Sequence, residues 1–113
     1  MLFVRELNVK EGLGDPYWAP LREYLTIARK LFPKVNAKLL RSPFIGSDKV
    51  YWVEEGWKSM AEGEQSEKTF WEDAEVKKVA KRVEQLQKEH GILKMYSPYR
   101  DFFIWDCSDK EPK

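Results

Sequence analysis

The chain has 113 residues, of which 42% are hydrophobic and 35% charged, with a net charge of +1. That is one globular domain's worth of sequence, too apolar to stay disordered. Lys and Glu are interspersed rather than gathered into a basic stripe, which speaks against a nucleic-acid partner.

Residues 2–9, LFVRELNV, are rich in β-formers and precede a turn-like EGLGDP, which predicts a first strand. Asp15 before Pro16 marks a helix start. Trp18, Leu21, Leu25, Ala28 and Phe32 then recur at helical spacing up to Pro33. Residues 35–45, VNAKLLRSPFI, predict a second strand, which Pro43 restricts to an edge or a bulge. After the turn Gly46-Ser47-Asp48, the stretch VYWVEEGW over 50–57 predicts a third strand, paired with the second as an antiparallel hairpin.

Ser59 and Glu62 have capping-box spacing at the start of the next helix. That helix is interrupted near Asp73, a residue suited to cap a second segment. Val76, Val79, Ala80, Val83, Leu86 and His90 share one face of the segment, and Gly91 is its stop. ILKMY over 92–96 predicts a fourth strand, and DFFIWDC over 101–107, beyond Pro98, a further one. One domain over 1–107 and a frayed tail over 108–113 are expected.

The order β-α-β-β-α-β predicts an α+β, ferredoxin-like split βαβ fold, with helices over one face of an antiparallel sheet. In VYWVEEGW, alternation puts Val50, Trp52 and Glu54 on one face and Tyr51, Val53, Glu55 and Trp57 on the other. Both faces carry large apolar groups. Helices cover one; the other calls for a second copy of the sheet across a two-fold axis. The extra C-terminal strand DFFIWDC agrees, pairing with the partner's sheet or closing the protomer's own edge.

The passage Tyr51-Trp52-Val53-Glu54-Glu55-Gly56-Trp57-Lys58-Ser59, with Phe70-Trp71-Glu72-Asp73-Ala74-Glu75-Val76 after it, resembles the dimeric α+β barrel superfamily. Its members include cofactor-free antibiotic-biosynthesis monooxygenases, haem-degrading enzymes, stress-responsive barrel proteins and NIPSNAP-like proteins. The shared pattern is a strand ending in an acidic-aromatic-x-Ser step, a helix, an aromatic residue, and Asp-x-Glu opening a second helix. The resemblance implies a homodimeric barrel and marks the fold more than a reaction. Against the haem-degrading members it implies Asn8 (or Leu7, in the other register) and Trp71 as pocket residues. The position of their iron-binding His falls near Ala80 here, with His90 further along the helix.

One Cys, Cys107, and one His cannot make an internal disulfide or a four-ligand zinc site, so no protein-bound metal is expected; no cofactor is expected either, although an axial ligand to haem needs only one side chain. Cys107 has no basic neighbour in sequence to activate it. No run of about 20 apolar residues occurs, and Arg5 and Glu6 interrupt the start of the chain where a signal peptide would continue. A cytoplasmic protein with no membrane partner is expected.

Arg5 interrupts an apolar strand that is central in this topology, so it needs either an ion pair or a ligand. The ion pair would be with Glu54 or Glu55; the ligand would be anionic or a carbonyl. Glu54 and Glu55 are adjacent, face opposite ways, and so cannot be a facing carboxylate pair. His90 reads as a cation favourable to a helix C-terminus, or as a partly buried ring satisfied by a carbonyl, rather than as a catalytic group. Arg5, Tyr24, Trp57, Trp71, His90 and Tyr96 are the candidates to line a small-molecule pocket, although the aromatic ones serve equally well as core. Two functions stay open: a cofactor-independent, monooxygenase-like enzyme acting on an aromatic or lipophilic molecule, and a non-catalytic small-ligand-binding or stress-related dimer. A haem enzyme is third.

Overall fold

The computed structural model describes residues 2–9, 15–44, 47–91 and 96–104. The elements run β1 (Leu2–Val9), α1 (Asp15–Leu31), β2 (Asn36–Phe44), β3 (Ser47–Glu55), α2 (Met60–Glu72), α3 (Ala74–Glu89) and β4 (Tyr96–Ile104). The four strands form one open antiparallel sheet in the order β2-β3-β1-β4. β1 and β3 are therefore central, and β2 with its Pro43 is an edge strand, as a missing backbone donor requires.

The helix ends follow from their capping residues. Ser59 Oγ accepts from the Glu62 N–H at 3.1 Å, and the Glu62 carboxylate reaches back to the Lys58 N–H at 3.3 Å. Asp73 has extended backbone, ends α2 and starts α3; its carboxylate accepts from the N–H groups of Glu75 (3.0 Å) and Val76 (3.2 Å). At the far end of α3 the chain leaves through Gly91 at φ +63°, and the Gly91 N–H donates to Lys88 O.

One layer of core lies between the helices and the sheet. Leu21 and Tyr24 from α1, Val76 and Val79 from α3, Leu7 from β1 and Val50 from β3 pack together, and all are buried. A smaller cluster of Phe3, Val35 and Trp57 fills the end next to the α2 entry. On α3 the apolar stripe faces inward at Val76 and Val79, whereas His90 beyond it is exposed.

Two expectations are corrected here. DFFI is the second half of β4, so among the described residues there is no extra C-terminal strand. Pro98 does not end the strand because the register with β1 shifts there: Glu6 pairs with Arg100 and Leu7 with Pro98, and the skipped residue forms a bulge. Residues 92–95 and 105–113, including Cys107 and the tail, lie outside the described residues. The second correction is Trp57, which does not share a face with Tyr51 and Val53. Gly56 at φ +120° breaks the strand's alternation and turns Trp57 onto the helix side, where it is 6% exposed and meets the Phe32 ring at 5.4 Å.

Tyr51 and Val53 lie on the sheet face away from the helices. There the Tyr51 hydroxyl donates to the Glu6 carboxylate at 3.0 Å, and the Lys49 ammonium lies 3.7 Å from the same oxygen. Leu40 and Ile104 stand on this face at 50% and 45% exposure.

Candidate functional site

Between the sheet and the helices lies a cavity of about 410 Å³. Its walls are built by position in the fold. Phe3, Arg5 and Leu7 alternate onto the inner face of β1, and Trp52 and Glu54 do so on β3. Tyr24 reaches in from α1, Tyr96 from β4, and Glu67, Phe70 and Trp71 from the last turns of α2. The rings form a continuous set of tilted and edge contacts. Phe70 meets Trp71 at 5.2 Å, Tyr24 at 5.9 Å and Trp52 at 6.2 Å, while Tyr24 meets Trp71 at 5.6 Å. Trp71 is 44% exposed and forms part of the rim.

A polar cluster closes one end of this cavity. Arg5 makes a two-pronged contact with Asp101, from Nε at 2.9 Å and from an Nη at 3.0 Å. Its other Nη donates to Glu67 at 2.8 Å. Glu67 also accepts from the Trp71 indole at 3.2 Å. The Asp101 hydrogen bonds, then Glu67, raise the Arg5 guanidinium against the opposing effect of burial. The expected partners of Arg5, Glu54 and Glu55, are thus corrected. In register, Arg5 stands opposite Asp101 on one side and Trp52 on the other, while Glu54 stands opposite Phe3. With two carboxylates on it, the guanidinium serves as structure and does not stand ready for an anionic ligand.

Glu54 sits beside that cluster. It accepts from the Trp57 indole at 3.3 Å, and the Trp52 indole lies close enough to favour its charged form. Removal from water raises its carboxyl above the ordinary range, and these donors and the Arg5 charge only partly offset this. Burial also raises the phenols of Tyr24 and Tyr96, so both remain hydroxyl donors at neutral pH. A second cavity of about 440 Å³ lies beyond, sharing Phe3, Arg5, Glu54 and Glu67 and bounded by Trp57 and Asp101.

Of the residues predicted from sequence, Arg5, Tyr24, Trp71 and Tyr96 are brought together around the first cavity, and Trp57 lines the second. His90 is not part of either lining; it caps α3 at its exposed end. Glu67, Trp52 and Phe70 are not among the sequence-based candidates, and Glu54 is read there as a routine part of the strand end rather than as a site residue. Alternation already places Trp52 and Glu54 on the face of Val50, and the four-residue step from Glu67 to Trp71 is the signal that would have flagged their shared helix face.

No family model, curated protein or solved structure matches the chain.

Among the described residues, no group of three or more His, Cys, Asp or Glu is arranged to hold a metal ion. No described helix is long and apolar enough to cross a membrane. Of the residues that the resemblance to haem-degrading proteins would place in a pocket, Trp71 lines this cavity. Leu7, not Asn8, lines the cavity from β1, and alternation turns Asn8 to the opposite face. His90 stands outside the cavity, and the position that the resemblance would give an iron-binding His falls near Ala80.

Proposed function

We propose that this chain binds a small aromatic or lipophilic molecule between its sheet and its helices, as one half of a ferredoxin-like, dimeric α+β barrel. The observation that carries the reading is the cavity of about 410 Å³ walled by Tyr24, Trp52, Phe70, Trp71 and Tyr96. That volume falls within the range of small-molecule sites, and a few polar groups converge at one end of an apolar wall. The strand order β2-β3-β1-β4 agrees with a split βαβ unit. The two-fold partner is supported by apolar Leu40, Tyr51, Val53 and Ile104 on the sheet face that the helices leave bare. A cytoplasmic setting goes with this reading, since a lone cysteine offers no internal disulfide.

The test is binding of a neutral fluorescent aromatic, N-phenyl-1-naphthylamine, to the native protein and to Ala28→Phe. Ala28 is 3% exposed and lines the cavity, so a phenyl group there occupies it. Saturable binding that drops at least tenfold in a variant with unchanged circular dichroism supports the reading. Equal binding in both proteins refutes it.

A second reading, a cofactor-independent, monooxygenase-like enzyme, is favoured by Glu54, a carboxyl raised by burial among aromatic rings and so suited to accept a proton from a bound hydroxyaromatic. Dioxygen uptake in the presence of a hydroquinone, lost in Glu54→Gln, is its expected signature. Uptake no faster than that of buffer alone rules it out.

A further inference from the structure

We infer that the molecule held in this cavity is an organic cation, an amine or quaternary ammonium on an apolar body, whose charge rests beside Glu54 among the rings of Trp52 and Phe70. The inference rests on the cavity reading above and adds the ligand's charge. The first cavity's charged lining is one cation, Arg5, against two carboxylates, Glu54 and Glu67. Arg5 is already committed to Glu67 and to Asp101 behind it, at 2.8–3.0 Å. Among the described residues the wall therefore offers a bound anion no uncommitted cation and presents it with excess negative charge. Like charge in a partly dry cleft is costly, whereas opposite charge is rewarded there more than in water.

The remaining features point the same way. Aromatic faces attract cations, and desolvated aromatic enclosures are a recurrent way to hold quaternary ammonium groups. Trp52, Phe70, Tyr24 and Trp71 line the same cavity as Glu54 and supply such rings. The raised carboxyl fits too, because a cation beside it would restore its ionised form. Among the described residues that line the two cavities with Glu54, no group reverses the balance. From β1 comes Arg5, from β4 Asp101 and the protonated phenol of Tyr96, and from α1 the phenol of Tyr24. From α2 come Glu67, Glu64 and Lys68, the last an exposed side chain on the second cavity. β2 places Ala37 opposite Glu54, and α3 contributes the neutral Gln87.

The test compares three phenyl-bearing probes of similar size by calorimetry on the native protein: benzyltrimethylammonium, its neutral carbon isostere neopentylbenzene, and the anion 3-phenylpropionate. The cation is expected to bind at least tenfold more tightly than the isostere, and the anion more weakly than both. Glu54→Gln should bring the cation down to the isostere's affinity while moving the isostere less than twofold. In the native protein, affinity for the cation, which has no titratable proton, should rise with pH as Glu54 ionises. That measurement stands even if the variant fails to fold. Binding of the isostere with equal or tighter binding of the anion overturns the inference and leaves the cavity reading intact; binding by none of the three overturns both. A pH-independent cation affinity, or one untouched by Glu54→Gln, also overturns it.

Discussion

Removing the Arg5 guanidinium leaves Glu67 and Asp101 facing the same partly dry space with no counter-charge. Arg5→Met keeps an apolar stem beside Phe3, whose ring lies 5.6 Å from the guanidinium carbon, and so isolates the electrostatic loss. The side chains of Glu67 and Asp101 are 39% and 43% exposed, so water takes up part of the cost. The expected destabilisation is on the order of 1–3 kcal/mol, below that of breaking a fully buried pair, and urea denaturation reads it directly. Glu54 behaves in the opposite sense. Its folded-state carboxyl is raised by burial, so the folded protein holds a proton that the unfolded chain has already released. Its contribution is thus undiminished below the ordinary carboxylate range and is lost as pH rises towards the raised value. Glu54→Gln should flatten that part of the stability-against-pH curve; thermal melts from pH 4 to 8 with the same slope in both proteins would contradict this. Arg5 was legible as a problem residue because charge on a central strand demands a partner. Which partner was not legible, since that depends on the register across β1 and β4.

At the level of the elements, Gly56 is where the path from β3 to α2 is decided. Its φ of +120° is a conformation L side chains rarely adopt, and an added Cβ would stand 3.1 Å from the Lys34 carbonyl oxygen. Gly56→Ala should cost on the order of 1–3 kcal/mol and disturb Trp57 packing, seen as a lower melting temperature with a shifted tryptophan emission. An unchanged emission would mean that Trp57 reaches its site by another route. The helices were largely readable, since Asp73 and Gly91 are chemically suited to the ends they form, and the stripe through Val76 and Val79 has helical spacing. β4 was misread as two strands because a proline usually ends one, and a bulge that accommodates it has no local signature here. Trp57 was misplaced for a related reason: a period-of-two argument assumes unbroken extended backbone, and one glycine ended it. The aromatic composition of the cavity was visible in outline. Its carboxylate wall was not, because Glu54 and Glu67 meet only once α2 folds over the sheet.

At the level of the whole molecule, the proposed two-fold assembly makes a separate prediction. Leu40 and Ile104 already touch water on a lone protomer, so Leu40→Glu with Ile104→Glu should leave the melting of an isolated subunit nearly unchanged. Charges placed at both positions would repel across a face-to-face dimer. Light scattering should then report a mass falling from twice the chain mass to 13.4 kDa. A native protein that already scatters as 13.4 kDa at micromolar concentration rejects the dimer. The sheet also limits how copies can meet. Its two outer strands, β2 and β4, each contain a proline, Pro43 and Pro98, and each proline leaves a gap in the row of backbone donors that a neighbouring strand would need. Extension by strand addition, the route to fibres, is therefore interrupted at both margins, which leaves the face-to-face direction to the proposed two-fold assembly.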